Sequence, residues 1–124
     1  LGAVAMGLHH KLCHTLGGSF NLPHADVHTV ILPHALAYNA AQAPEAMARI
    51  ARALGRDDAA RGVFELAARH GAPTSLKAIG MPAEGLDRAA DLAVTTPYPN
   101  PRPLERAALR ALLQRAFDGA APQG

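Results

Sequence analysis

The chain is poor in the residues on which several common kinds of protein depend. Its 124 residues include no tryptophan, two tyrosines, three phenylalanines and one cysteine. A single cysteine, Cys13, excludes a fold held together by internal disulfides and suits a reducing, cytoplasmic setting. The formal charge is only +2, and the arginines are spread among acidic neighbours. Without a basic patch or an aromatic platform, no nucleic-acid partner is expected.

A long apolar run and a targeting signal are also missing. The opening LGAVAMGL is apolar, but no basic residues precede it and the polar HHK soon follows. The run is too short to cross a bilayer, so no membrane association is expected. A buried helix that begins without a capping residue is typical of a piece of a longer protein. We therefore expect this chain, expressed alone, to be poorly soluble, oligomeric or partner-bound.

What the chain does contain favours helices. Nearly half of the residues are apolar (49%), and many of them are alanine, which is the strongest helix former. No alternating apolar and polar run suggests a strand. We predict an all-α bundle of about six or seven helices, with an extended loop at TTPYPNPRP. The predicted helical segments are 1–16, 24–42 with an interruption or kink at Pro33, 44–54, 59–70, a short helical turn within 73–82, 84–94 and 104–117.

Several residues are assigned to the ends or faces of these helices. Gly17–Gly18 should end the first helix, because glycine readily terminates helices. Asp57 or Asp58 should cap the helix at 59–70, and Thr74 should cap the short helical turn in PTSLKAIGMP. The apolar face of the helix at 59–70 is predicted to consist of Val63, Phe64, Leu66 and Ala67.

Six of the seven histidines fall between Gly7 and His34. His10 and His14 stand four residues apart, so on a helix they share one face. His24 follows a glycine turn and Pro23, which can bring it back opposite His10. Such a group is typical of an incomplete ligand set for a catalytic metal. Ordinary surface or hydrogen-bonded core histidines are the alternative interpretation.

The other residues of this stretch receive less specific interpretations. His28 can point toward the same site as His10, His14 and His24. His34 is expected to pack structurally after Pro33, and His9 is also expected to have a structural role. Cys13 and His14 are adjacent on a helix and point about 100° apart. They are poorly placed to share a proton, so Cys13 is predicted to be a small buried thiol.

The stretch GLHHKLCHTLGGSFNLPHADVHTVILPHALAYN resembles the C-terminal helical domain of the iron-containing alcohol dehydrogenase superfamily, which has a dehydroquinate synthase-like fold. The shared pattern is a histidine, three residues, a second histidine, a glycine turn and two Pro-His pairs, with YN after the second. Within the superfamily, HHKLCHTLGG, PHA in place of PHG, and the late PYPNPRP are similar to maleylacetate reductases. The likeness covers nearly the whole chain.

The resemblance implies an oxidoreductase that uses NADH or NADPH to convert maleylacetate to 3-oxoadipate in the degradation of aromatic compounds. It implies that His10 and His24 are ligands of iron or zinc, or that they bind the substrate instead. Because that substrate carries two carboxylates, Lys11 in the same cluster is a further candidate for binding it; an ordinary surface lysine on the helix is the alternative. It also implies that His14 lies close to the substrate and the nicotinamide, as a catalytic residue. Tyr98, in the proline-rich loop, is a second catalytic candidate.

On this reading residues 1–124 form an all-helical domain that supplies one wall of the site. The nucleotide-binding domain, which would hold most of the cofactor, is the expected partner, together with a small dicarboxylate substrate and a second subunit in a homodimer. This chain alone should be inactive. Two alternatives stay open: a metal-dependent alcohol dehydrogenase of the same superfamily, and a non-enzymatic histidine-rich domain that binds metal or a partner.

Overall fold

The computed structural model describes residues 7–42, 44–55, 57–95 and 105–122. These residues form helices and turns, and no strand occurs among them, which confirms the all-α class. None of the described helices combines the length and apolar character that a membrane span requires. The described α-helices are α1 (Gly7–Phe20), α2 (His24–Asn39), α3 (Pro44–Leu54), α4 (Ala59–Arg69), α5 (Leu86–Thr95) and α6 (Arg106–Asp118), with short 3-10 turns at Ala40–Gln42 and Ala83–Gly85.

Helix α2 runs through the middle of the fold. It packs against α1, α4 and α6, and Val27, Val30 and Ile31 are fully buried. A helix that is apolar on nearly all sides is typical of such a central position. Pro33 lies inside α2, but it does not interrupt the helix, which continues to Asn39. The predicted interruption is therefore wrong, because the packing of α2 against its neighbours outweighs the one backbone hydrogen bond that proline removes.

The predicted end of the first helix is wrong. Helix α1 continues through Gly17–Gly18 and stops at Phe20. A glycine inside a helix costs only about 1 kcal/mol relative to alanine, so two of them weaken a packed helix without ending it. Asn21 has a φ of 55°, the left-handed conformation that breaks the helical path.

Helix α4 confirms one prediction and corrects another. Asp58 caps it by accepting a hydrogen bond from the Arg61 amide at 3.0 Å. Leu66, however, does not belong to a buried apolar face, since it is 40% exposed. Val63 of the predicted face is partly buried against the core, and the fully buried residues of α4 are the small Ala59, Ala60 and Gly62. Small side chains on this side let α4 lie close to the central helix α2.

The turn before α5 is capped by a different residue from the one predicted. Ser75, not Thr74, accepts a hydrogen bond from the Ala78 amide through its Oγ at 3.1 Å. The Leu76 amide donates to the Ala116 carbonyl at 2.8 Å, which fastens this turn to α6. The short helical turn itself is therefore confirmed, with its cap one residue later.

Helices α5 and α6 pack side by side. Their interface combines small and large residues, with Ala89, Ala90 and Ala93 on α5 and Leu109, Leu112 and Leu113 on α6, all fully buried. At the solvent edge Arg110 donates to Asp87 at 2.7 Å, and Arg106 pairs with Asp91. The hydrogen bond from Arg110 lowers the pKa of Asp87. These pairs are exposed, so they add little to stability beside the buried apolar contact.

Tyr38 joins the end of α2 to the beginning of α6. Its ring is buried, and its hydroxyl accepts a hydrogen bond from the Glu105 amide at 3.2 Å. Glu105 immediately precedes α6, so this bond satisfies one of the amides that a helix start leaves without an intrahelical partner. The loop containing Tyr98 lies outside the described residues.

A matched pair of glycines tests the packing at the start of α5. A Cβ on Gly85 would lie 2.6 Å from Cε1 of Phe20 and 3.2 Å from Cε of Met81, whereas a Cβ on Gly18 would meet nothing within 4 Å. In the full-length protein we expect Gly85→Ala to lower the free energy of unfolding by about 1–3 kcal/mol. Gly18→Ala should raise it by about 0.5–1 kcal/mol. Denaturant unfolding measures both, and equal effects of the two substitutions would contradict this packing.

The buried His34 should make stability depend on pH. Its side chain is fully buried, and burial, with a smaller contribution from the charge of Arg115, lowers its pKa to about 4 from 6.5. Between these values the unfolded chain takes up a proton that the folded chain does not, so the free energy of unfolding falls as the pH is lowered. The expected loss between pH 7 and pH 4 is about 3 kcal/mol. In the full-length protein, His34→Gln should reduce the dependence of the unfolding free energy on pH, which denaturant titrations at several pH values measure. An unchanged pH dependence would mean that groups other than His34 cause it.

Candidate functional site at the α1–α2 junction

The histidine-rich stretch folds into the junction of α1 and α2. The rings of His9 on α1 and His28 on α2 meet edge to face, with their centroids 4.9 Å apart. Nε2 of His9 also lies 3.2 Å from the His28 carbonyl oxygen. The first turn of α1 therefore lies against the second turn of α2, and this contact sets where the backbone of each neighbouring histidine stands.

His14 is the exposed member of its part of α1. Cys13, Thr15 and Leu16 are buried around it, while His14 faces solvent and Lys11 is half-buried. An exposed imidazole on an otherwise buried stretch is accessible to a substrate or to another domain. This position is compatible with the predicted catalytic role of His14, which stays a prediction.

The two predicted ligand positions are described only through their backbone. His10 lies on α1 directly after His9, and His24 is the first residue of α2, one turn before His28. The observed contact between His9 and His28 thus brings both positions to the same junction. The side chains of His10 and His24 lie outside the described residues, as does Tyr98.

The donors that these positions offer fit iron or zinc. Imidazole nitrogen suits both metals, and a catalytic site needs about three protein ligands with one position left open. Two histidines from this chain leave room for ligands from elsewhere in a longer protein. The prediction of His10 and His24 as ligands is therefore chemically consistent.

Cys13 is a buried thiol, as predicted. It is a free cysteine, only 2% exposed, and desolvation raises its pKa to about 12. Its partner is not the adjacent His14 but His9, whose Nε2 lies 3.4 Å from Sγ. His9 precedes Cys13 by one helical turn, a spacing that was visible in the sequence and that sequence reasoning overlooked.

The remaining histidines of the stretch separate into two environments. His28 is exposed and lies against His9, at the junction. His34 is fully buried further along α2, where its ring meets Phe64 of α4 edge to face at 6.4 Å. Neither ring nitrogen of His34 has a hydrogen-bond partner among the described residues. The expected packing role of His34 is confirmed, and it does not join the other histidines.

A separate cavity of about 410 Å³ lies between the end of α2, α3 and the start of α4. Its lining is mostly apolar, with the exposed carboxylates of Asp57 and Asp58 at its edge. No histidine contributes to this lining among the described residues. The candidate chemistry therefore lies at the α1–α2 junction rather than in this cavity.

Comparison with known proteins decides the family. Residues 1–117 match the family described as "Fe-containing alcohol dehydrogenase family, C-terminal". The chain belongs to this family. Its match extends over all the helices described above except the last residue of α6.

Two similar proteins within this family are named maleylacetate reductases. The enzyme from Burkholderia cepacia is 70% identical over 122 residues, which cover 98% of this chain and 35% of that protein. The crystal structure of the maleylacetate reductase from Agrobacterium tumefaciens is 56% identical, with a TM-score of 0.89 over 93% of this chain and 33% of that one. The chain thus spans about a third of the length of these relatives.

A solved structure with another name is also similar. The iron-containing alcohol dehydrogenase from Corynebacterium glutamicum is 48% identical, with a TM-score of 0.83, and the match covers 91% of this chain and 32% of that chain. The helical domain is therefore shared by family members that carry different activity names.

The buried state of Cys13 predicts its reactivity. With a pKa of about 12 the thiol stays protonated at pH 8, and the thiolate is the form that iodoacetamide alkylates. In the full-length protein we expect alkylation of Cys13 to be at least about a hundredfold slower in the native state than in denaturant. Mass spectrometry of the peptide that contains Cys13 measures both rates. Native and denatured rates within tenfold of each other would contradict the burial.

Proposed function

We propose that this chain is the helical domain of an NAD(P)H-dependent maleylacetate reductase that forms 3-oxoadipate during the degradation of aromatic compounds. The observation that carries the proposal is the 70% identity to a named maleylacetate reductase, which covers nearly the whole chain. The matched region covers 98% of the chain and so spans the positions of the histidines assigned to the site. An identity this high, extending through the candidate site, favours conservation of the reaction as well as of the fold.

The substrate proposed here explains the concentration of cationic and hydrogen-bonding groups. Maleylacetate carries two carboxylates, which are best received by charged or hydrogen-bonding donors. Lys11 is half-buried on the same helix as His14, and His10 and His24 belong to the same junction. We assign these three residues to substrate binding. If His10 and His24 hold iron or zinc instead, the metal would supply a Lewis acid that polarises the keto oxygen.

The reduction needs a donor and an acid on the protein side. When bound, the nicotinamide would supply a hydride to one alkene carbon, which would leave negative charge on the adjoining keto oxygen. A hydrogen-bond donor near that oxygen stabilises the enolate, and an acid then protonates carbon. We assign one of these roles to His14, whose imidazole is exposed on α1. Tyr98 is the second candidate, because a proline-rich loop can hold a phenol in a fixed position.

The rest of the enzyme completes the proposal. The relatives are about three times as long as the matched region, which leaves room for a nucleotide-binding domain that holds most of the NADH or NADPH. The exposed His14 would face that domain across the active-site cleft. We also propose a homodimer and a cytoplasmic location, the latter in keeping with the free thiol of Cys13.

The second candidate function is that of a metal-dependent alcohol dehydrogenase. It is favoured by the similarity to the iron-containing alcohol dehydrogenase of Corynebacterium glutamicum, although that identity is only 48%. In this case His10 and His24 would be obligatory metal ligands, and the substrate would be a simple aldehyde rather than a dicarboxylate.

NADH oxidation by the full-length protein distinguishes the two candidates. We expect rapid turnover of maleylacetate, and a loss of about 100-fold or more in kcat for His14→Ala, which is the usual contribution of a positioned acid or base. His70→Ala is the matched control, because His70 is also an exposed histidine but stands at the end of α4. It should keep the activity of the unsubstituted protein.

Two other results would contradict parts of this proposal. Absence of turnover with maleylacetate, together with turnover of small aldehydes after addition of iron or zinc, would reject the reductase proposal and support the alcohol dehydrogenase. Full activity of His14→Ala with maleylacetate would keep the reductase but remove His14 from its mechanism.

A further inference from the structure

A second group of side chains that could bind a metal lies on α1 and α2. This group does not include His10, His14 or His24. His9, Cys13 and His28 each direct one potential ligand atom toward the other two, and these three atoms lie within 4.8 Å of one another. His9 and Cys13 are buried, and His28 is exposed. They are the residues that the sequence assigned to structural or uncertain roles.

One of the three distances between ligand atoms fits a tetrahedral metal site, and the other two are at most 4.8 Å. Zinc binds sulfur at about 2.3 Å and imidazole nitrogen at about 2.0–2.1 Å, so neighbouring S and N ligands of a tetrahedron stand about 3.6 Å apart. Sγ of Cys13 and Nε2 of His9 are 3.4 Å apart. The third ligand atom comes from His28, whose exposed ring can rotate by the small amount needed to approach the other two.

We propose that His9, Cys13 and His28 form a binding site for a thiophilic metal ion, and that zinc is the ion they fit best. One thiolate and two imidazoles are a ligand set typical of zinc. The three protein ligands leave one coordination position for water. This proposal does not depend on the reaction that the full-length enzyme catalyses.

Metal binding requires a free lone pair on Nε2 of His9 and a thiolate on Cys13, and the ion itself must offset the burial that keeps the thiol protonated. Nε2 of His9 either carries a proton and donates it to the His28 carbonyl, or lacks one and accepts from the Cys13 thiol. A metal requires the form of His9 in which Nε2 carries no proton. On binding, the ion replaces the thiol proton of Cys13, which is released to solvent, so one proton leaves for each ion bound.

The surroundings supply both a rigid base and an entry path. His9 and Cys13 stand one turn apart on α1, and their burial limits the positions that their side chains can adopt. His28 stands at the surface, so an ion can arrive from solvent and meet this ligand first. Because the ligands come from both helices, a bound ion would tie α1 to α2.

The site differs chemically from the position at His10 and His24. The histidine pair offers nitrogen only, whereas the proposed site includes a thiolate. Cobalt(II), which replaces zinc in tetrahedral sites, gives an intense near-ultraviolet charge-transfer absorption only when a thiolate is a ligand. This absorption therefore reports the proposed site even when cobalt also binds at His10 and His24.

The test is a cobalt(II) titration of the full-length protein. We expect the thiolate charge-transfer band to appear and to be abolished by excess zinc. It should be absent in Cys13→Ser, and His28→Gln should weaken cobalt binding at least about tenfold. His28 is exposed, so its substitution should leave the fold intact, which far-ultraviolet circular dichroism checks. His70→Ala is the matched control and should titrate like the unsubstituted protein.

Three results would overturn the proposal. The first is the absence of the thiolate band at saturating cobalt. The second is a band that survives Cys13→Ser, because its thiolate would then come from another cysteine of the full-length protein. The third is an unchanged cobalt affinity in folded His28→Gln, which would remove the third ligand.

Discussion

The packing of α2 through the centre of the fold is the constraint on which the other features depend. Its buried residues face α1, α4 and α6, so the helix cannot slide or rotate without disturbing three contacts. The first turns of α2 carry His24 and His28, and α1 crosses them in one register. The histidine-rich junction is thus a consequence of how this apolar helix is enclosed.

Most of the helices could be predicted because local chemistry marks their ends. Pro44, Asp58 and Gly119 act where the sequence places them, at the start of α3, the cap of α4 and the end of α6. The errors arose where tertiary contacts decide. Helix α1 continues through Gly17–Gly18, and Leu66 is exposed because α4 turns its small residues toward the core.

The candidate site could be predicted only in part. The spacing of histidines on one helix indicates which positions share a face, so His10 and His14 could be placed on one face of α1, while their roles stay predictions. The group of His9, Cys13 and His28 depends on how two helices cross, because His9 and His28 are 19 residues apart in the sequence. No local pattern fixes that crossing. Likewise, the bond between Tyr38 and the Glu105 amide spans 67 residues and leaves no trace in the sequence.

Two neighbouring stripes of α1 thus have different chemistry. One stripe carries His10 and His14, and we assign it to the substrate; the next carries His9 and Cys13, which are buried against α2. Both depend on the same helix crossing. The resemblance to the family motivates the role proposed for the first stripe, and the thiol of Cys13 is the reason that we propose a soft metal for the second.

The central claim is that the α1–α2 junction forms one wall of the site where a dicarboxylate is reduced. A crystal structure of the full-length protein with oxidised nicotinamide cofactor and maleylacetate bound tests it most directly. We predict that the substrate lies against α1, with a nitrogen of His14 within hydrogen-bond distance of it and its carboxylates near Lys11 and the His10–His24 pair. A substrate bound in the cavity between α3 and α4, away from these residues, would contradict the account.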